Sequence, residues 1–145
     1  MQDLIEFDER RKVFHLHNGK ISYLFSVEEG GILSHLYFGT KIVQYHGQLR
    51  YPRIDRGFSG NLPGTTTDRG FSRDTLPQEY SSNGVGDYRV PAMIIRHQDG
   101  SCADAFCFKN YKIEDGKPKL EGLPQAFVED SSEAQTLTVI LEDKL

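Results

Sequence analysis

From Ile21 to Val27 the chain reads ISYLFSV, with Ile21, Tyr23, Phe25 and Val27 on one side of an extended backbone and Ser22 and Ser26 on the other. A period of two is the signature of a strand, here one whose serine-bearing face is expected to meet solvent. Comparable runs cover Val13–His17, Ile32–Phe38, Lys41–Tyr45, Val90–His97, Cys102–Ile113 and Leu137–Leu141. Turn signals stand between them at Asn18-Gly19, Gly30-Gly31, Asp99-Gly100 and Asp115-Gly116,. No window of a dozen residues keeps apolar positions at helical spacing, so the pattern predicts an all-β, antiparallel β-sandwich built as a meander, with few helices.

Alternation fails between Arg50 and Tyr88, a stretch holding six of the 14 glycines, three of the six prolines and five of the nine arginines. Structureless connections beyond about 12–15 residues are uncommon in compact domains and are usually functional or disordered. Tyr51, Ile54, Phe58, Leu62, Phe71, Leu76, Tyr80 and Tyr88 would give this one apolar anchors, which argues for a packed functional loop over 50–88,. Inside it the sequence DRGFS occurs twice, at Asp55–Ser59 and Asp68–Ser72. Two five-residue copies 13 positions apart cannot be a solenoid,. They read either as capped, ion-paired turns pinned by phenylalanines, or as a polar constellation of Asp55, Arg56, Asp68 and Arg69 beside Phe58 and Phe71. Such residue types grip hydroxyl-rich ligands by hydrogen bonds and stacking.

At 145 residues and 16.5 kDa, with 37% hydrophobic residues, the chain fits one domain with a modest core,. Its net charge of −4 offers no basic field for nucleic acid or an anionic membrane face,. No apolar run approaches bilayer length and the N-terminus has no leader pattern, so the expected location is cytoplasmic. Cys102 and Cys107, five apart, would face opposite sides of one strand, which argues against a bridge between them,.

Other candidate chemistry is weaker. His15 and His17 share a strand face and would need a third ligand from elsewhere to hold zinc; the expectation is no metal,. Gly84–Gly86 lacks the Lys-Ser/Thr and helix of a phosphate cradle and reads as a turn, and Ser81 and Ser82 lie in no nucleophile-elbow context,. A glycosidase needs two facing carboxylates, which spacing alone cannot name here.

Several segments carry a family resemblance: FHLHNGKISY (14–23), HLYFG (35–39), DRGFSGN (55–61), RGFSRDTLPQEYSSNGVGDYRVPA (69–92) and YKIEDGKPKLEGLPQAFVE (111–129). Together they resemble the N-terminal region of bacterial α-galactosidases of glycoside hydrolase family 36, in unbroken order from about Val13 onward. The resemblance implies a supersandwich, galactose mutarotase-like fold for residues 1–145, incomplete in this chain. It also implies that the catalytic aspartates belong to a (β/α)₈ barrel absent here, so that this chain has no catalytic residues of its own and needs no cofactor. The substrates implied are α-galactosides such as melibiose and raffinose.

Many bacterial members of that family are tetramers in which N-terminal loops close a neighbour's galactose pocket. By that resemblance Asp55 and Arg69 are the candidate substrate-binding residues, with Arg56, Phe58, Asp68 and Phe71 supporting the loop. One departure stands out: Arg73 occupies a position that is often hydrophobic in the family pattern. The alternative is an autonomous carbohydrate-binding or structural β-module, against which the absence of Trp counts modestly,. A chain ending within the sandwich is further expected to expose sheet edges and to associate.

Overall fold

The computed structural model describes residues 3–47 and 72–145, and every regular element among them is a strand except two 3₁₀ turns, at Glu29–Gly31 and Ser131–Glu133. The strands are β1 (Ile5–Asp8), β2 (Val13–His17), β3 (Ile21–Val27), β4 (Leu33–Thr40), β5 (Phe106–Asp115) and β6 (Gln135–Asp143). β1 to β4 form an antiparallel meander in chain order, and β5 pairs with β6 as a second antiparallel sheet. No helix among the described residues is long and apolar enough to cross a membrane.

The two sheets meet across an aromatic core. Register places Phe7 opposite Phe14 and Phe14 opposite Phe25, so three rings line up across β1, β2 and β3 on one face. Phe14 stacks on Phe7 at 4.2 Å and on Phe25 at 4.9 Å, and takes the edge of Tyr111 from β5 at 5.1 Å. Phe108, Leu137, Val139 and Leu141 complete the opposing wall. Each such ring pair adds about 0.5–1.5 kcal/mol beyond its buried area. The turn before β4 also lies close to β5: at Gly31 a Cβ would sit 3.1 Å from both the Cys107 Cβ and the Phe108 backbone nitrogen.

Serine positions on β3 do not meet solvent as alternation suggests. Ser22 and Ser26 are fully buried with Leu24 between them, because Val13, Leu36, Tyr45 and Ile42 form a second apolar cluster over that face. The hydroxyls are partnered instead. Ser22 Oγ accepts the Ile42 amide at 3.1 Å and bonds His15 Nε2 at 2.9 Å, while Ser26 Oγ donates to Glu28 Oε1 at 2.6 Å.

The predicted strands at Lys41–Tyr45 and Val90–His97 do not form. β3 begins at Ile21, opposite Thr40; the Lys41 amide still donates to the Lys20 carbonyl, after which no strand continues alongside and residues 42–45 fold over the sheet as a cover. In the second segment Pro91 lacks a donor, and Val90 and Ile94 are exposed rather than paired,. β1, four residues long, lies outside the predicted set. The strand expected from Cys102 begins only at Phe106, so the two free cysteines are not on opposite faces of one strand; Cys102 precedes it.

Candidate functional site

The described part of the long loop begins at Ser72 with a tight turn, in which Ser72 Oγ donates to Asp74 Oδ1 at 2.5 Å and the Thr75 amide donates to the Ser72 carbonyl at 3.3 Å. The chain then adds itself to the free edge of β4. His35 N donates to the Pro77 carbonyl at 2.7 Å, Glu79 N donates to the Leu33 carbonyl at 3.0 Å, and Gln78 pairs antiparallel with Ser34. A side-chain contact doubles this seam: His35 Nδ1 and Glu79 Oε1 are 2.8 Å apart. Tyr23, whose ring lies 5.5 Å from that of His35, has its hydroxyl pKa pushed well up by burial and by the Glu79 carboxylate beside it. Leu33, Tyr80, Met93, Phe106, Val139 and Leu141 line an apolar groove of about 400 Å³ next to this seam, with Glu79 the carboxylate on its wall.

A second fastening comes from Arg89. Asp87, its side chain wholly buried, accepts Arg89 Nε at 2.8 Å on one oxygen and an Arg89 terminal nitrogen at 3.0 Å on the other. Held in that fork, Arg89 donates to two main-chain carbonyls, those of Leu76 at 2.6 Å and Arg73 at 2.5 Å. Gln78 Nε2 closes the ring by donating to the Arg73 carbonyl at 2.8 Å and to Asp87 Oδ2 at 2.5 Å. These carbonyls belong to a turn without helical partners, so side-chain donors take the place of a ladder.

The third fastening is Arg73 itself, only 2% exposed. Its guanidinium donates to Ser82 Oγ at 3.2 Å and to the Cys107 sulfur at 3.8 Å, and its Nε has no partner among the described residues. Ser82 Oγ also accepts the Phe106 amide at 3.0 Å, so this serine is a junction between loop and β5, not a nucleophile on a turn. This position is thus interior, and it is filled by a charge.

Asp55, Arg56, Phe58, Asp68, Arg69 and Phe71 lie outside the described residues, as do the expected anchors Tyr51, Ile54 and Leu62. Of the remaining expected anchors, Leu76 is half-buried and Tyr80 packs edge-on against Phe106 at 5.5 Å, but Tyr88 is 85% exposed and anchors nothing. Its neighbour Arg89 performs that task by hydrogen bonds instead. His15 and His17 do come together on one face, ring centroids 5.0 Å apart, with Glu6 Oε1 3.6 Å from His17 Nε2. His15 Nε2 is already bonded to Ser22, and no group of three metal-capable side chains occurs among the described residues. Burial, followed by the neighbouring His17, lowers the His15 pKa below its ordinary value.

Residues 31–145 match the family model of the glycosyl hydrolase family 36 N-terminal domain. The chain belongs to this family. As a family 36 N-terminal domain it is 62% identical over 142 residues to "Alpha-galactosidase 1" of Pediococcus pentosaceus, the alignment covering 98% of this chain and 19% of that protein. Its backbone superposes on the galactosidase domain of the alpha-galactosidase-sucrose kinase AgaSK with a TM-score of 0.88 at 41% identity, over 97% of this chain and 19% of that one. It superposes on the alpha-galactosidase AgaA of Geobacillus stearothermophilus in complex with raffinose with a TM-score of 0.82 at 42% identity, over 91% of this chain and 18% of that one. The chain therefore spans about a fifth of the length of these relatives.

Proposed function

We propose that this chain is the N-terminal, non-catalytic sandwich portion of an α-galactosidase that removes terminal α-galactosyl residues from oligosaccharides such as melibiose and raffinose. The observation that carries this reading is the 62% identity to an alpha-galactosidase across 98% of the chain. On this reading the double displacement is performed by aspartates of a barrel in the longer protein. The sandwich contributes to a homo-oligomer, a tetramer by family resemblance, and lends a loop to a neighbouring subunit's substrate pocket.

Within that loop Asp55 accepts hydrogen bonds from sugar hydroxyls and Arg69 donates to the substrate, while Arg56, Asp68, Phe58 and Phe71 hold the loop in shape. Support comes from the chemistry of those residue types and from the three fastenings at Arg73, Gln78–Glu79 and Arg89, which fix the chain just past them. In the full-length enzyme, Asp55→Ala and Arg69→Ala should each lower kcat/KM for raffinose by about 10-fold or more while the oligomer stays intact by sedimentation. Kinetics unchanged in both variants would remove the pocket role.

A further inference from the structure

We infer that Asn18 is a site of spontaneous covalent modification: its side-chain amide is lost through a succinimide formed with Gly19, whereas the fold protects the chain's second Asn-Gly pair, Asn83-Gly84. The reaction needs no partner but water. The Gly19 backbone nitrogen attacks Asn18 Cγ and gives up its proton to solvent, the Cγ–Nδ2 bond breaks, and Nδ2 departs as ammonia. Water then opens the five-membered ring at one of its two carbonyls. One opening leaves aspartate; the other leaves isoaspartate, in which the main chain runs through Cγ. Glycine favours the attack because it has no Cβ to shield its nitrogen.

The two pairs share a sequence and differ in setting. Asn18 is exposed at the tip of the β2–β3 hairpin, and a Cβ on Gly19 would meet nothing within 4 Å, so the turn is open to solvent. Asn18 Oδ1 accepts the Lys20 amide at 3.1 Å and the Ile21 amide at 3.0 Å. Those donors polarise the side-chain carbonyl and lie where negative charge gathers as Cγ is attacked, the arrangement that stabilises an oxyanion in acyl transfer. Among the described residues no hydrogen bond holds the departing Nδ2 or the Gly19 amide. Asn83, by contrast, is held on three sides. Its Nδ2 donates to the Cys102 carbonyl at 2.6 Å, its amide donates to the wholly buried Asp104 at 2.9 Å, and its carbonyl accepts the Asp104 amide at 2.9 Å. Gly84 lies against Ala103, whose Cβ is 3.1 Å from where a Gly84 Cβ would stand. Modification at Asn18 reaches beyond the tip, because isoaspartate takes into the main chain the carbonyl that the Lys20 and Ile21 amides bind. The Lys20 carbonyl in turn holds the Lys41 amide at 2.8 Å, where the cover over the first sheet begins.

The test is peptide mapping by mass spectrometry of the 145-residue chain aged in mildly alkaline buffer, in parallel with the same chain kept unfolded in urea. In the folded chain Asn18 should convert at least about 10-fold faster than Asn83, since Asn83 must first give up two or three buried hydrogen bonds. In urea that preference should vanish. A smaller preference in the folded chain, or one that persists unchanged in urea and so belongs to the local sequence, would overturn the inference. Asn18→Asp supplies an independent readout, because it keeps an acceptor for the Lys20 and Ile21 amides and has no ammonia to lose. Ammonia released by the folded variant should fall to a minor part of that released by the parent chain. Unchanged release would show that the modification lies elsewhere and would equally overturn it.

Discussion

Replacing Arg73 by Met should leave the domain as stable as before or make it more stable. The side chain is 2% exposed, and among the described residues no carboxylate comes within ion-pair distance of its guanidinium. Withdrawing such an ion from water costs several kcal/mol even after the protein relaxes. Against this stand one hydrogen bond to Ser82 at 3.2 Å, worth about 1.5–3 kcal/mol to a charged donor, and a weaker contact to the Cys107 sulfur at 3.8 Å,. Met keeps the apolar stem that fills the site and discards the charge. Ser82 Oγ keeps the Phe106 amide as a partner in the variant. The balance is a change between zero and about 3 kcal/mol of added stability. Arg73→Ala, which removes the stem as well, should cost about 2–5 kcal/mol through the void it leaves. Urea denaturation of the 145-residue chain, with the slope checked for constancy, measures both,. A loss of about 2 kcal/mol or more in Arg73→Met would refute the reasoning and require an anion that compensates the buried guanidinium.

His15 makes the fold sensitive to acid. Because burial lowers its pKa in the folded state from the ordinary 6.5, the unfolded chain takes up a proton below that value before the folded chain does, and stability falls as pH falls; His15→Gln should flatten the decline in urea midpoints between about pH 7 and pH 5, and an unaltered decline would refute the assignment,. Gly31→Ala should cost more than Gly19→Ala, although both sites have positive φ. At Gly31 the new methyl meets Cys107 and the Phe108 backbone at 3.1 Å, whereas at Gly19 nothing lies within 4 Å, so the backbone cost of about 1–2 kcal/mol is common to both and the clash is not,. Equal losses in the two variants would show that the sheets can separate locally without cost.

Local alternation was enough to place β2 and β3 within their observed bounds and β4 and β6 within a few residues, because their faces differ in polarity. It misplaced Lys41–Tyr45 and Val90–His97 because a strand also needs a partner, and partnership is settled by where β3 begins and where Pro91 interrupts donors. The serines of β3 misled for a related reason: polarity signals solvent only when nothing folds over the face, and here Tyr45 and Ile42 do. The described part of the long loop was legible as a stretch without alternation and not as a mechanism of fastening. Arg89 stands in the distinctive GDYRVPA segment, but what it binds are the carbonyls of Leu76 and Arg73, which carry no side-chain identity to read. Arg73 was visible only as a departure from the family pattern; that it is interior needed the third dimension.

β4 is the outer strand of its sheet, and outer strands offer unpaired amides and carbonyls to any extended chain that meets them,. Residues 77–79 occupy that offer at Leu33, Ser34 and His35, and Pro77, having no N–H of its own, brings no donor to extend the row,. The same stretch that ties the turn at Ser72–Thr75 to the sheet is therefore a guard against self-association. Variants that unseat it should lose solubility, so selection for a clean, monodisperse protein would by itself preserve this pairing.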